Sequence, residues 1–290
     1  MALGLTLTMA VIKLPNFAHA ELITVGAYTA LVVSMGVSAN PLLVLTAAFL
    51  VSGLVAIGCH KLVYRPLDKV SGSMYTLILA SFAVGLILRY VIFLLVDRLD
   101  LFDKRIQVPT DVWVQTEWLT LTNIFFWVVP TSVVIVLLLS LILNYTELGR
   151  EMRALADNAD LAAIVGIPIE RVKVLTWLLA GGLAGAGGSM CGMYTFVNPL
   201  LGWLVILSVC AATILGGMTS FVGTIIGAYV VAFSENTVMQ LLNHYVGLDF
   251  SFKPAIPFII IILVLLFRPQ GFTGMMGNFG MFKQEPMTEL

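Results

Sequence analysis

Apolar runs of near membrane length recur along this chain of 290 residues and constrain its fold more than any other feature. A helix needs about 20 apolar residues to cross a bilayer, because each residue adds about 1.5 Å. The runs do not alternate as the strands of a membrane barrel do, so helices are predicted. The eight predicted full spans are Phe17–Ser38, Leu42–Cys59, Met74–Val96, Asn123–Asn144, Val172–Thr195, Trp203–Gly217, Ser220–Leu242 and Ala255–Phe267.

The composition supports a membrane protein. Hydrophobic residues make up 60% of the chain and charged residues 11%, and the mean hydropathy is +1.02. A soluble domain carries about 25% charged residues. The sequence therefore predicts an all-α polytopic transmembrane helical bundle, formed by one domain over residues 1–290 and embedded in the cell membrane. A net charge of -1 gives no reason to expect a nucleic-acid partner.

A shorter apolar segment, Leu3–Ile12, precedes the first predicted span and cannot cross a bilayer alone. It is interpreted as half a helix, a re-entrant segment, or the remainder of a span that begins further upstream. No basic region followed by a small-residue cleavage site is present, so no cleaved signal peptide is expected.

Basic residues in the connecting loops predict the orientation. The loop His60–Ser73 carries three basic residues and one acid, which predicts a cytoplasmic position. The loop Asp97–Thr122 carries three basic and five acidic residues and is predicted to lie outside. By alternation, Gly149–Lys173 lies in the cytoplasm. Both termini are then cytoplasmic unless Leu3–Ile12 crosses, in which case the N-terminus is outside.

The charged segment Gly149–Lys173 is predicted to form a short, rigid surface helix. Asp157 or Asn158 can cap the helix at its N-terminus, and Gly166 followed by Pro168 can end it. A narrow apolar stripe of the helix comprises Met152, Leu155, Ala156, Ala159 and Ala163. This pattern indicates a docking surface for a soluble partner. The alternative is a helix that rests on lipid headgroups, which the alanine-rich stripe without aromatic residues does not favour.

Three charged residues fall within or near the predicted spans, namely Glu21, Arg89 and Glu235. A charge at the bilayer centre costs roughly 2.5–3.5 kcal/mol, so each is expected to face protein or a polar path. Arg89 is predicted to pair with Glu235, from their opposite charges and similar depth. The pair is interpreted either as an internal ion pair or as the lining of a permeation path.

Asn16 and His19 precede the same acid, Glu21, at the start of a helix. Residues two apart on a helix point in different directions and no third ligand is evident, so no metal site is predicted. Asn16 is interpreted as an N-cap. The alternative is a broken helix whose free backbone N–H groups bind an amino-acid carboxylate.

Small residues recur at four-residue spacing and predict close helix contacts. They are interpreted as packing within the chain, with a subunit interface or a mobile contact as alternatives. The pairs are Gly181 with Gly185 and Gly223 with Gly227, and Gly216 and Gly217 precede the second pair.

Four blocks of this sequence together resemble the permease subunits of branched-chain amino acid ABC importers (the LivH type). The longest is GREMRALADNADLAAIVGIPIERVKVLTWLLAGGLAGAGG, which resembles the cytoplasmic coupling loop and the span after it. The others are Pro15–Glu21, Leu215–Gly227 and Arg268–Phe272, and all occur in the order of that family. Ala20 departs from the glycine of the first block and Ser220 from a small-residue pattern in the third. Family members also begin further upstream.

The resemblance implies a transport subunit that is not an enzyme and binds no cofactor itself. Nothing in the chain resembles a nucleotide-binding GxxxxGK[ST] loop. ATP and Mg are expected in two cytoplasmic ATPase subunits that dock on the permeases. The other expected partners are a second related permease, in a heterodimer, and an extracytoplasmic solute-binding protein. Within the coupling loop, about residues 146–171, the expected coupling residues are Arg153, Asn158, Asp160, Ala163, Gly166, Ile167 and Pro168.

The expected function is translocation of branched-chain amino acids by alternating access that is driven by partner ATPases. The polar residues expected along the path are Asn16, His19, Glu21, Arg89 and Glu235. A urea or short-amide ABC permease remains an alternative within the class. An ion-coupled secondary transporter that uses the intramembrane charges is the alternative from another class.

Overall fold

The computed structural model describes residues 1–71, 73–108, 112–116, 119–268 and 271. Helices form most of this part of the chain. In chain order they are α1 (Ala2–Leu7), the π-helix π1 (Thr8–Ile12), α2 (His19–Gly36), α3 (Pro41–Cys59), the π-helix π2 (His60–Tyr64), α4 (Arg65–Ser71), α5 (Met74–Arg98), α6 (Asn123–Tyr145), α7 (Glu147–Asp157), α8 (Ala159–Ile164), α9 (Ile169–Tyr194), α10 (Leu201–Gly216), α11 (Phe221–Val246), a 3-10 turn (Phe250–Phe252) and α12 (Ala255–Phe267).

Six helices in the described part are long and apolar enough to cross a bilayer, which confirms an all-α polytopic membrane protein. They are Pro41–Val70, Met74–Arg98, Asn123–Tyr145, Ile169–Tyr194, Phe221–Val246 and Phe250–Phe267. Two of the eight predicted spans are not among them. One corresponds to α2, which begins with the polar side chains of His19 and Glu21, and the other to α10, which has only 16 residues.

The prediction that residues His60–Ser73 form a loop is wrong for most of that range, because the helix that begins at Pro41 continues through it. α3, π2 and α4 form one continuous helical segment, Pro41–Val70. The N–H of Arg65 donates to the carbonyl of His60, five residues back. Pro66 follows and has no N–H to donate. The wider π turn just before this proline allows the helix to pass through a sequence that is otherwise typical of a helix end.

The centre of the bundle consists of α2, α3 and α9, which pack closely against one another. The closest approach joins α2 to α9, where a Cβ atom added to Gly26 would lie 2.1 Å from the Cα of Gly185. On the other side of α9, a Cβ on Gly181 would lie 2.4 Å from the Cβ of Ala56 in α3. Only residues without side chains allow these backbones to meet.

A second group of helices, α10, α11 and α12, packs together beside this centre. A Cβ on Gly223 would lie 2.0 Å from the carbonyl oxygen of Gly216, and one on Gly227 would lie 2.4 Å from that of Ala212. Gly217 ends α10 in the left-handed conformation, with φ of 99°. Ser220 then caps α11 by accepting a hydrogen bond from the N–H of Gly223 at 3.1 Å.

The N-terminal apolar segment forms α1 and π1 and lies inside the protein, against α9, α10 and α11. Thr6 in α1 shares a buried hydrogen bond of 2.8 Å with Thr224 in α11. Lys13 has a left-handed conformation, with φ of 58°, and ends the helical run. The imidazole Nε2 of His19 lies 3.1 Å from the carbonyl oxygen of Met1, so the start of α2 lies beside the start of α1.

Two further features lie at the periphery. α5 and α6 bury few of their residues, so most of their apolar surface is available to lipid. The predicted outer loop contains an antiparallel hairpin of β1 (Val112–Thr116) and β2 (Leu119–Thr122), which the helical periodicity did not predict. Of the sequence block Arg268–Phe272, only Arg268 and Gly271 lie within the described residues.

Candidate functional site: the coupling loop and the start of α2

The connection between α6 and α9 folds as two short helices, α7 and α8, rather than the single predicted helix. Asn158 separates them because its backbone is extended, with φ of -152° and ψ of 110°. Its side-chain Oδ1 accepts hydrogen bonds from the N–H groups of Asp160 and Leu161, each at 3.0 Å. The predicted N-cap is therefore confirmed at Asn158, and it caps α8.

The break at Asn158 also divides the predicted apolar stripe. Met152 and Leu155 are fully buried and pack against Leu139 and Leu143 of α6. Ala159 and Ala163, in contrast, are exposed. The single-stripe prediction is wrong because a helix that ends and restarts at an extended residue does not keep its helical phase.

Beside the exposed Asp160, the surface of α8 and its C-cap carries large apolar side chains that the sequence analysis did not predict. Leu161, Ile164 and Val165 are 58%, 81% and 71% exposed, and together they form what we call the loop tip. Their spacing of three and four residues is the signal that could have identified them. Adjacent exposed apolar side chains indicate a contact with another protein or with the membrane surface.

The end of α8 is a Schellman motif, which fixes the direction of the chain into α9. Gly166 is left-handed, with φ of 87°, as predicted. Its N–H donates to the carbonyl of Ala163 at 3.1 Å, and the N–H of Ile167 donates to that of Ala162 at 3.0 Å. Pro168 follows, and α9 begins at the next residue.

Arg153 is held within the chain instead of pointing freely outwards. Its guanidinium donates to the carbonyl of Leu143, in the last turn of α6, where helical carbonyls lack partners from their own helix. A Cβ on Gly149 would lie 2.1 Å from the same carbonyl oxygen. Arg153 and Gly149 therefore fix α7 against the end of α6.

The predicted pairing of Arg89 with Glu235 is wrong. Arg89 in α5 pairs with Glu21 in α2, through Nη2 and Nε at 2.6 and 2.9 Å from Oε1. The Glu21 side chain is 1% exposed and that of Arg89 is 15% exposed. On its other face, the guanidinium lies 4.4 Å from the ring centre of Trp203 in α10. The charge cluster thus joins α2, α5 and α10.

Glu235 in α11 has different partners. Its Oε2 accepts a hydrogen bond from Ser208 of α10 at 2.8 Å, and its Oε1 lies 3.9 Å from Nζ of Lys253. Equal depth was an insufficient criterion for predicting the Arg89 pair, because it did not show which helices are neighbours. α5 packs against α2, the helix that carries Glu21.

Asn16 is buried but is not the N-cap of α2, which is Ala18. Its Oδ1 accepts hydrogen bonds from the N–H of Ala18 and from the hydroxyl of Tyr64, both at 3.1 Å. The next N–H groups, of His19 and Ala20, donate to carbonyls three residues back. The alternative of free N–H groups at this position is therefore wrong for this conformation.

Comparison with known proteins gives the family. The family described as the permease component of the branched-chain amino acid transport system matches residues 1–265. The chain belongs to this family. It is accordingly a multi-pass inner-membrane permease subunit of an ABC importer and not itself an enzyme. In general, such permeases work with ATPase subunits and a solute-binding protein.

Individual relatives agree with this membership. The probable branched-chain amino acid transport permease protein LivH of Methanocaldococcus jannaschii is 34% identical over 279 residues, which cover 94% of this chain and 87% of the relative. The high-affinity permease protein LivH of Escherichia coli (strain K12) is 26% identical, with 94% and 90% covered. The ribose import permease protein RbsC of the same strain is also 26% identical, with 92% and 80% covered. No solved structure gives a significant match.

Proposed function

We propose that this permease subunit forms one half of the membrane core of an ABC importer and moves branched-chain amino acids by alternating access. The two LivH relatives support this solute, because both are named as branched-chain amino acid permeases. Two cytoplasmic ATPases, which bind ATP and Mg, drive the cycle. A second, related permease completes the core as a heterodimer, and an extracytoplasmic binding protein delivers the solute.

The loop tip is the observation that carries the proposal. The three apolar side chains of the tip are exposed, on a helix that is capped at both ends. A cap and a Schellman motif make this segment rigid, so a force applied to the tip is transmitted to α9. Residues 146–171 are thus the proposed ATPase-coupling loop.

The proposed roles within this loop differ among the predicted coupling residues. Asp160, Ala163, Gly166 and Pro168 are exposed beside the tip and are proposed to contact the ATPase. Asn158 and Ile167 shape the two ends of α8. Arg153 anchors the loop to α6 by donating a hydrogen bond to the carbonyl of Leu143, at the end of that helix.

The proposed topology has eight crossings in a single domain, with α2 and α10 added to the six long helices. Both lie inside the bundle, where neighbouring helices contact their polar groups. The hydroxyl of Thr24 in α2, for example, accepts a hydrogen bond from the N–H of Gly202 in α10 at 3.0 Å. Short or interrupted helices of this kind often line the path in transporters.

The proposed translocation path follows the polar side chains of α2 and its neighbours. Charged residues within a membrane protein usually mark such a path. Glu21 and Arg89 are the central proposed residues. Together with Trp203 they join three helices, and relative movement of these helices would open or close the path. Asn16 and His19 lie at the N-terminal start of α2, and Glu235 lies on α11.

The coupling role is tested by changing the loop tip in the assembled transporter. Ile164→Asp is expected to abolish copurification of the ATPase subunits, because it places a charge in an apolar contact. Val70→Asp is the matched control, since Val70 is 89% exposed at the end of α4 and Ile164 is 81% exposed. Retention of the ATPases by Ile164→Asp, together with normal uptake, would contradict the proposal.

The energy source and the solute are tested by uptake into proteoliposomes. Leucine uptake is expected to require ATP on the side of the membrane to which the ATPases bind. It is expected to survive collapse of the proton and sodium gradients. The reverse result would indicate an ion-coupled transporter. Competition by excess isoleucine and valine, but not by urea or ribose, is expected for the proposed solute class.

A further inference from the structure

A continuous chain of side-chain contacts joins the coupling loop to the segment before α2. Its members are Asn16, Tyr64, Trp177, His60 and Glu170, and we call it the α9–α2 linkage. At one end, the hydroxyl of Tyr64 donates to Oδ1 of Asn16 at 3.1 Å. The ring of Tyr64 is stacked on the indole of Trp177, with centres 4.9 Å apart and planes inclined by 8°.

The other half of the linkage returns to the start of α9. The indole of Trp177 is also stacked with His60, with ring centres 5.9 Å apart. The Nε2 of His60 lies 3.3 Å from Oε1 of Glu170 and Nε of Arg65 lies 3.1 Å from the same oxygen, in close contact but without hydrogen-bond geometry. Glu170 is the second residue of α9 and lies within the coupling loop, just after the turn at Gly166.

The π turn explains how one helix supplies two members of the linkage. His60 and Tyr64 are the first and last residues of π2, and both are buried. A π turn contains more residues than an α turn, and such turns occur often at functional positions. His60 and Tyr64 are both stacked with Trp177 of α9. A shift of α9 along π2 would therefore disturb this aromatic stack.

The centre of the linkage is tightly packed but not fully hydrogen-bonded. Asn16, Tyr64 and Trp177 are 2%, 3% and 1% exposed. Within the described residues, Nδ2 of Asn16 and Nε1 of Trp177 have no hydrogen-bond acceptor from the protein. A buried donor without a partner costs about 1–3 kcal/mol. An arrangement in which these donors found acceptors would recover this cost, and such a gain would favour a second state.

We infer that the α9–α2 linkage couples movement of the coupling loop to the start of α2, and that its members are positioning residues for transport. The inference rests on the proposed function, because it assumes that an ATPase moves the loop. When the loop moves, Glu170 displaces His60 and the aromatic stack. Tyr64 then changes its contact with Asn16, which holds the N–H of Ala18 at the start of α2.

The first test measures coupling in proteoliposomes that contain the complete importer. Tyr64→Phe removes one hydroxyl and leaves the ring stack. It is expected to lower solute uptake per ATP hydrolysed by about fivefold or more, within the usual range of coupling between sites. Tyr28→Phe is the matched control, because Tyr28 is also buried, lies in α2, and has no protein partner for its hydroxyl among the described residues. This control is expected to retain normal uptake per ATP.

The second test uses the double variant. Glu170→Gln alone is expected to lower uptake per ATP, and Tyr64→Phe combined with Glu170→Gln is expected to lose no more than the more severe single variant. Non-additivity is the signature of residues that act through one route. Two losses that multiply, or a Tyr64→Phe variant with the normal ratio, would overturn the inference.

A structural measurement covers the case in which Tyr64→Phe does not fold. Glu170 has a side chain that is 44% exposed, so Glu170→Gln is expected to fold. We expect hydrogen exchange to rise by about threefold or more in the peptide that contains Ala18, at the far end of the linkage. Asp68→Asn is the matched control, because Asp68 pairs with Lys173 of α9 at 2.9 Å but lies outside the linkage. Unchanged exchange in Glu170→Gln would contradict the inference.

These outcomes separate the inference from the proposed function. If the ATPases do not bind the wild-type loop tip, the proposed function fails before any linkage variant is measured. If the ATPases bind and uptake requires ATP, but the linkage variants behave like their controls, only the inference fails.

Discussion

The carboxylate of Glu21 and the guanidinium of Arg89 form an ion pair inside the helical bundle, with Nη2 and Oε1 2.6 Å apart. The pair joins α2 to α5, a helix that otherwise buries little of its surface. In an apolar surrounding, removing one partner leaves an uncompensated charge, and this costs more than removing both.

Loss of one partner of this pair is expected to destabilise the protein strongly. Arg89→Met should lower the free energy of unfolding in detergent by about 3–5 kcal/mol, because Glu21 stays buried without its partner. Adding Glu21→Gln should recover part of this loss. Asp68→Asn is the control, since it removes a partly exposed pair that is worth about 1 kcal/mol or less. Equal losses for Arg89→Met and Asp68→Asn would contradict the buried ion pair.

The contact between α2 and α9 predicts different tolerance at two glycines of one helix. Gly26→Ala should lower the free energy of unfolding by about 1–3 kcal/mol, because its methyl group would overlap the backbone of Gly185. Gly36→Ala should change it by about 0.5 kcal/mol or less, since no atom lies within 4 Å of the added methyl. Thermal unfolding of the purified variants measures both. A neutral Gly26→Ala variant would disprove the close approach.

The Schellman turn predicts a conformational cost at Gly166 that does not depend on packing. No atom lies within 4 Å of an added Cβ, but φ is 87°. Gly166→Ala should therefore destabilise the turn by roughly 1–2 kcal/mol, and Gly166→Asn should cost less, because asparagine tolerates this conformation better. Hydrogen exchange at the N–H groups of Gly166 and Ile167 measures the effect. Equal protection of these N–H groups in Gly166→Ala and in the wild-type protein would contradict the left-handed geometry at this position.

Two adjacent residues of the coupling loop should respond differently to the same substitution. Asn158→Ala should destabilise α8 by about 1 kcal/mol, because it removes the acceptor for two N–H groups. Asp157→Ala is the control, since Asp157 is the last residue of α7 and does not cap α8. Limited proteolysis of the loop should be faster only in Asn158→Ala. Faster cleavage in both variants would argue against a specific cap.

The sequence was sufficient where the determinants are local. Apolar runs predicted the long helices, the pair Asp157 and Asn158 predicted a cap at one of the two, and Gly166 with Pro168 predicted the helix end. It was insufficient where the answer depends on which helices are neighbours. The opposite charge of Glu235 suggested the wrong partner for Arg89, because depth along a span does not reveal the adjacent helix. The predicted apolar stripe also fails at Asn158, because it continues through the residue that interrupts the helix.

The π turn at His60–Tyr64 has a consequence for sequence change in this region. Each residue of an α-helix advances the chain by about 100° around its axis, so one residue more or less rotates everything that follows. A π turn accommodates one residue more than an α turn. Deleting one residue from it would therefore restore an α turn and keep Arg65 and Asp68 directed at Glu170 and Lys173, whereas a deletion in α3 would rotate both side chains away. This helix should accordingly tolerate the loss of one residue at the π turn far better than the loss of one residue in α3.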